Sequence, residues 1–219
     1  MEKYDVGLIL NFIQVILEII GLILCLDALG CIDLTYYTID SNIFLLVSSI
    51  LYLFSRKNPS KIVQFFRYSS TLSVMITFLV VIFVLYPMLD FNFQYLFLAG
   101  PNPYMHVLCP LIALVSFLFF EKNEIENNLK NNFRSLYFTL IYAVILISLN
   151  ILRIVNGPYP FLKVYEQSVL MSIIWIVAIL GFALILSNIL LMVKELDMIL
   201  NVKNWVWGII FHQIWLTVF

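Results

Sequence analysis

Six long apolar runs take up most of this chain of 219 residues, and each has about the length that crosses a lipid bilayer. A hydrocarbon core of roughly 30 Å needs about 20 apolar residues per helix. Only 11% of the residues are charged and 63% are hydrophobic, whereas soluble domains carry about 25% charged residues. The composition therefore predicts an integral membrane protein with no second, soluble domain. The predicted spans are Val6–Leu26, Leu34–Phe54, Ser69–Leu89, Tyr104–Phe120, Leu136–Leu152 and Val169–Val193.

These runs predict helices rather than the strands of a membrane β-barrel. Barrel strands alternate apolar and polar positions, but Ile43–Val47 and Val80–Leu85 are continuously apolar. An uninterrupted apolar run satisfies its own backbone groups in lipid only as a helix. We therefore expect an all-α integral membrane protein of the cell membrane, with a six-transmembrane-helix bundle over residues 1–193.

Basic residues fall mostly on one side of such a bundle, and short cytoplasmic loops are where Lys and Arg collect. The two on the other side are Arg153 and Lys163. We therefore predict that both the N-terminus and the C-terminus are cytoplasmic. The ten on the first side are Lys3, Arg56, Lys57, Lys61, Arg67, Lys122, Lys130, Arg134, Lys194 and Lys203.

The C-terminal segment, residues 194–219, differs from the spans because it is rich in tryptophan. Trp205, Trp207 and Trp215 fall in a stretch of about 16 residues, which is short for a crossing and has the aromatics typical of a membrane interface. We predict an interfacial helix that lies flat on the inner leaflet. A seventh, tilted crossing is the alternative.

Polar residues mark one face of the first span. Asn11, Gln14, Glu18, Gly21 and Cys25 recur at spacings of three and four, which places them on one side of a helix. Charged residues within a membrane usually face the bundle interior, so this face is predicted to point inward. Glu18 serves either as a hydrogen-bonding group between helices or in proton coupling or substrate binding.

Thr38 and His106 are predicted to lie at similar depth near the outer surface. Spans two and four both run inward, and the two residues are about four and two positions inside them, a difference of roughly 3 Å. Both helix N-termini offer unpaired N–H groups and a positive dipole end, which suits an oxyanion. The alternative roles are packing or capping for Thr38 and an interfacial hydrogen bond for His106. Because no second histidine lies nearby, we expect no metal site and no cofactor.

Three short segments resemble the signatures of a known family. They are Tyr36–Asn42 (YYTIDSN), Met105–Pro110 (MHVLCP) and Tyr159–Leu162 (YPFL). Their order and their location at outer helix ends resemble the androgen-induced family of multi-pass membrane threonine hydrolases, most closely its bacterial six-helix relatives, over about residues 5–193. The resemblance implies that Thr38 is the nucleophile and that His106 serves it. Animal members of that family hydrolyse fatty-acid esters of hydroxy fatty acids.

Four further residues are candidates for substrate binding. Asn42 follows Thr38 by one helical turn, Arg153 ends the fifth span, Glu18 lies mid-membrane and Tyr159 belongs to the third signature. The segment around Tyr159 packs two prolines and two aromatics into five residues, which stiffens the backbone, so it is either an interfacial anchor or a lid over a site.

No acidic residue is placed by sequence to orient His106. Asp40 and Asp90 are the candidates, and a dyad without a third member is the default.

The sequence thus predicts a threonine-nucleophile lipid-ester hydrolase. Its expected partners are membrane lipids and a fatty-acid ester substrate, with no nucleic acid, and its oligomeric state does not follow from the sequence. A small six-helix transporter that uses Glu18 and a non-catalytic membrane interaction protein are the rival interpretations.

Overall fold

The computed structural model describes residues 3–56 and 58–218, with side chains at all of these except 198 and 201–218. Every regular element in the described residues is helical. We number the main helices along the chain and leave two single turns, Gln94–Leu98 and Pro160–Leu162, without numbers. The helices are α1 (Lys3–Leu29), α2 (Tyr37–Ser55), α3 (Lys61–Met88), α4 (Pro103–Phe120), α5 (Leu129–Ser135), α6 (Tyr137–Ile151) and α7 (Val169–Val218).

Five of these helices are long and apolar enough to cross a membrane: α1, α2, α3, α4 and the Val169–Asp197 part of α7. The pair α5 and α6, bent by 44°, makes a sixth if it counts as one span. By length and composition, the described part of the chain is therefore a membrane helical bundle. The prediction of an all-helical membrane protein is confirmed at this level.

The fifth predicted span, Leu136–Leu152, matches the helix Tyr137–Ile151 to within one residue at each end. The short helix α5 precedes it and is separated from it at Leu136, where the N–H closes a tight turn onto the carbonyls of Phe133 and Arg134. The following α6 has 15 residues and is only about 22 Å long, less than the apolar thickness of a bilayer. A crossing at this place needs the polar α5 as its inner end.

The last helix continues past the end of the sixth predicted span at Val193. Its backbone runs without a break for 50 residues from Val169 to Val218. The predicted interfacial helix is thus continuous with the last span, and its position against a membrane remains a prediction. The three tryptophans on which it was based lie outside the described side chains.

Proline explains an irregularity at the outer end of α4. The first turns, Pro103–Leu108, are π-helical, and the N–H of Cys109 bonds to the carbonyl of Tyr104, five residues back. Pro110 has no N–H to give, and its ring clashes with the carbonyl four residues before it in a regular helix. That carbonyl belongs to His106, so the wide turn accommodates the proline and places the histidine in irregular helix.

The polar face of α1 points into the bundle, as predicted. Asn11, Gln14, Glu18 and Cys25 are all buried, and so is Gly21. The opposite side of α1 presents large apolar side chains outward, as expected of a helix that faces lipid. These outward residues are Ile9, Phe12, Ile16, Ile19, Ile23 and Leu26.

A buried ion pair ties α3 to the inner end of α4. The Arg67 guanidinium donates to both oxygens of Glu121, at 2.8 Å for Nη2 to Oε1 and 3.0 Å for Nε to Oε2. Burial alone would raise the pKa of Glu121, but Arg67 and hydrogen bonds from Asn11 and Ser116 hold that pKa below its ordinary value. The pair belongs to the packing of the bundle and not to a loop.

Lys194 of α7 is a second cation inside the bundle. Its ammonium group donates to three backbone carbonyls at the end of α4, those of Phe117, Leu118 and Glu121, at 2.7–3.0 Å. Carbonyls at a helix C-terminus lack helical partners, and a cation there is favourable. Arg67 and Lys194 fall just outside the predicted spans Ser69–Leu89 and Val169–Val193, and the structure buries both among the helices.

Candidate active site

Thr38 is the second residue of α2, which begins at Tyr37. Backbone N–H groups in the first turn of a helix have no helical partner. The N–H of Thr38 points to the phenol oxygen of Tyr159 at 3.4 Å, and the Thr38 Oγ1 lies 3.5 Å from the same oxygen. Asn42 donates its side-chain amide to the Thr38 carbonyl at 2.7 Å. The turn that carries the threonine is therefore fixed on both sides.

His106 is buried on α4 and is oriented by a backbone carbonyl. Its Nδ1 lies 2.7 Å from the carbonyl oxygen of Leu96. Because a carbonyl can only accept, Nδ1 carries the proton, and Nε2 of the neutral ring keeps its lone pair as an acceptor. The orienting role considered for Asp40 or Asp90 is thus performed at Nδ1 by the main chain.

The Leu96 carbonyl lies in a segment with unusual backbone on both sides. The short π-helical turn Gln94–Leu98 is preceded by Asp90 and Phe91, with φ of 51° and 58°, and followed by Gly100 at 52°. Non-glycine residues rarely adopt positive φ, and such strain tends to accumulate at functional sites. The segment that orients His106 is therefore held in a costly conformation.

Thr38, His106 and Tyr159 line one cavity of about 580 Å³ at the N-terminal ends of α2 and α4. Among the described residues no hydrogen bond joins Thr38 to His106. The cavity's other lining residues include Cys25, Tyr36, Leu96, Asn102, Met105 and Lys163.

A second, apolar cavity of about 80 Å³ lies between α2, α3, α6 and α7. Thr38, Leu85 and Tyr159 line both cavities. Thr38 therefore lies where a wide cavity with polar groups meets a narrow apolar one. The apolar walls include Ile76, Val80, Ile147, Phe161, Trp175 and Ile179.

The other three predicted substrate-binding residues line neither cavity. Glu18 is buried within the bundle and accepts a hydrogen bond from Gln14 at 3.2 Å. Arg153 is exposed, with its guanidinium 4.7 Å from the ring centre of Tyr165. Asn42 bonds backbone carbonyls of α2 and α4. Of the four candidates, Tyr159 is the one that lines the two cavities.

Sequence reasoning missed two groups at the site. The carbonyl of Leu96 carries no signal, since every residue has one. Lys163 lines the larger cavity beside the third signature and pairs with Glu166 at 3.1 Å. Lys163 is one of only two basic residues, with Arg153, on the predicted outer side, and this was a signal that could have singled it out.

No family model, curated protein or solved structure matches this chain. The case for its function therefore rests on the geometry of Thr38, His106 and Tyr159.

Proposed function

We propose that the protein is a membrane-embedded lipid-ester hydrolase in which Thr38 attacks the ester and His106 acts as base and then as acid. The observation that carries the proposal is that Thr38 and His106 line one cavity, with the Nδ1 of His106 bound to a carbonyl and its Nε2 left as the acceptor. A threonine hydroxyl is a weak nucleophile until a base removes its proton. The resemblance of the three signatures to the androgen-induced family assigns the same two residues to the same two roles.

The proposed reaction has two steps, acylation of Thr38 and hydrolysis of the acyl ester. Oγ1 of Thr38 bonds to the ester carbonyl carbon as its proton passes to Nε2 of His106, and the carbonyl π electrons move to oxygen. Collapse expels the alcohol, which takes the proton from His106 and leaves an acyl ester on Thr38. Water then attacks that ester with His106 as base, releasing the fatty acid and restoring the hydroxyl.

The substrate-free geometry is compatible with this chemistry. Catalytic hydrogen bonds are often long before substrate binds and tighten in the complex. The contact of the Thr38 hydroxyl with Tyr159, at 3.5 Å, is at the edge of hydrogen-bond distance. Turning the hydroxyl toward His106 therefore costs little.

The two cavities favour an ester with one purely apolar arm. The cavity walled by Ile76, Val80 and Trp175, of about 80 Å³, suits the apolar carbons next to the ester carbonyl, because it is smaller than the roughly 300–1,000 Å³ of a pocket that holds a whole ligand. The larger cavity, with Asn102 and Lys163 at its wall, suits the alcohol portion. The substrate class is thus a fatty-acid ester drawn from the membrane.

The proposal includes the finer topology of the bundle. We place six crossings, both termini in the cytoplasm of the cell and residues 194–219 at the inner interface. The site at the start of α2 and α4 then opens at the outer leaflet, where membrane lipids enter from the side.

The test is turnover of a long-chain p-nitrophenyl ester by the purified protein in lipid nanodiscs. Thr38→Ala and His106→Ala should each abolish turnover, and the double variant should be no worse, because residues that act as a unit are non-additive. Thr38→Ser keeps a hydroxyl and should keep measurable activity. Thr35→Ala, the same substitution outside both cavities, is the matched control. Parent-level turnover in Thr38→Ala would end the proposal.

Proton-coupled transport through the bundle is a second candidate, and one observation favours it. Asn11 Oδ1, Gln14 Oε1 and Glu18 Oε2 are buried on one face of α1 without a hydrogen-bond donor among the described residues. Buried acceptors of this kind are costly and are satisfied by water or by a proton in transit. A pH-dependent solute flux that is lost in Glu18→Gln, in a protein without esterase activity, would favour the transporter.

A further inference from the structure

We infer that the hydroxyl of Tyr159 and the backbone N–H of Thr38 together form the oxyanion hole of this site. The inference rests on the proposed hydrolase function and adds a catalytic residue to it. Acyl transfer builds negative charge on the carbonyl oxygen, and donors already aimed at that oxygen are usually the largest single contribution to catalysis.

The geometry places both donors beside the nucleophile. The N–H of Thr38 has no partner within α2 because it belongs to the first turn, and it points to the Tyr159 oxygen at 3.4 Å. The same oxygen lies 3.5 Å from Oγ1 of Thr38. An ester attacked by Oγ1 brings its carbonyl oxygen next to Oγ1, within reach of the phenol and of the N–H. The nucleophile's own N–H is a donor of the same kind in serine proteases.

Both donors make only weak hydrogen bonds before substrate binds. Hydrogen bonds of 3.4 and 3.5 Å are longer than the usual 2.7–3.2 Å range for proteins. Neither group therefore gives up a strong bond when a carbonyl oxygen enters between them. Burial also raises the pKa of Tyr159 to about 12, so the phenol remains a neutral O–H donor at neutral pH.

The Tyr159 ring is held in place before substrate arrives. It stacks on Phe161 with the planes 7° apart and meets Tyr36 edge-on at 6.2 Å between ring centres. Pro158 and Pro160 flank it and restrict the backbone. Preorganised donors cost no rearrangement in the transition state, which is what this rigid loop provides.

The neighbouring phenols are already engaged elsewhere. Tyr37 shares a hydrogen bond of 2.7 Å with Thr139, and Tyr142 donates to the carbonyl of Thr35 at 2.7 Å. Of these three tyrosines, Tyr159 is the one whose hydroxyl faces Thr38. Tyr165→Phe is the matched control, because it removes a 2.7 Å hydrogen bond from a phenol to the Ile151 carbonyl in the same loop, at a residue that lines neither cavity.

The experiment compares Tyr159→Phe with Tyr165→Phe in nanodiscs, using ester turnover and two inhibitors. The first inhibitor is a long-chain trifluoromethyl ketone, which adds to Thr38 and forms an oxyanion. The second is the matching ether, which lacks a carbonyl. Loss of one oxyanion donor lowers kcat by about 10²–10³-fold, so Tyr159→Phe should lose kcat in that range with KM nearly unchanged. Binding of the ketone should weaken while binding of the ether does not, and Tyr165→Phe should resemble the parent.

Failure of this inference and failure of the hydrolase proposal give different results. Parent-level kcat in Tyr159→Phe, together with an inactive Thr38→Ala, overturns the oxyanion role and leaves the hydrolase standing. Equal weakening of ketone and ether shows that Tyr159 shapes the cavity only, and also overturns the inference. Parent-level turnover in Thr38→Ala, or an inactive parent, overturns the hydrolase and the oxyanion hole together.

Discussion

Replacing Glu121 by Gln tests the ion pair that joins α3 to the inner end of α4. Arg67 and Glu121 are each 1% exposed, and their closest atoms are 2.8 Å apart. Glu121→Gln keeps the size of the side chain and removes its charge, which leaves a buried guanidinium without a counter-ion. Breaking a buried pair in this way costs about 3–5 kcal/mol, so we expect the free energy of unfolding to fall by that amount.

Two comparisons isolate the effect of burial. Glu166→Gln removes the pair with Lys163, whose side chains are 58% and 30% exposed, and should cost less than about 1 kcal/mol. The double variant Arg67→Met with Glu121→Leu removes both charges and should recover much of the loss, because well-packed apolar replacements of a buried pair are often neutral. Unfolding in detergent micelles, followed by circular dichroism, measures all three variants against the parent.

The pH dependence gives the same reasoning a second test. The pKa of folded Glu121 lies below its ordinary value of 4.5. A carboxyl of this kind stabilises the fold fully above its unfolded pKa, and that stability is lost as pH falls through the folded pKa. The difference in unfolding free energy between the parent and Glu121→Gln should therefore be largest at neutral pH and become smaller in acid. A difference in unfolding free energy of less than about 1 kcal/mol at neutral pH, or one that is unchanged in strong acid, would refute the stabilising role of the buried pair.

Two further predictions test packing and topology. Gly7→Ala should destabilise the bundle, because its new methyl group would collide with the carbonyl oxygen of Phe120. In the control Gly181→Ala, the methyl group meets nothing within 4 Å, so this variant should be neutral or stabilising by up to about 1 kcal/mol. Thermal unfolding of the two variants measures the difference. In intact cells the exposed native Cys31 should react with an impermeant thiol reagent, and Asn58→Cys in a Cys31→Ser background should not; the reverse pattern would place the candidate site at the inner leaflet.

Much of the fold was predictable, because a membrane span needs a long run of apolar residues and such runs are visible in the sequence. Apolar runs of the right length gave the membrane helices, and spacings of three and four along α1 gave the buried side that carries Asn11, Gln14 and Glu18. The short helix α5 before the fifth span was not predicted, because most of its residues are polar and show no apolar periodicity. The continuity of α7 past Val193 was not predicted. Residues with good helix propensity can continue a helix after the apolar run has ended.

The positions of the charges were harder to predict than those of the helices. Arg67 was counted among the basic residues of the cytoplasmic side, and its buried partner Glu121 is 54 positions away in the sequence. Periodicity describes one helix at a time and carries no information on which charge another helix supplies. The same limit applies to Lys194, whose partners are backbone carbonyls.

The candidate site was predictable in its side chains and not in its main chain. Shared depth and the three signatures singled out Thr38, His106 and Tyr159, and the structure brings these to one cavity. The carbonyl of Leu96 that orients His106 belongs to the short π-helical turn Gln94–Leu98. No residue pattern marks a backbone acceptor, so this part of the site required the structure.

The central claim is that Thr38 is a nucleophile activated by His106, and covalent labelling tests it most directly. The purified parent would be treated with a long-chain fluorophosphonate, digested and analysed by mass spectrometry for the modified residue. We predict that the phosphonate is attached to Thr38, that His106→Ala abolishes the modification, and that Thr35→Ala leaves it unchanged. A parent protein that is unmodified at Thr38, or equally modified with and without His106, would contradict the account.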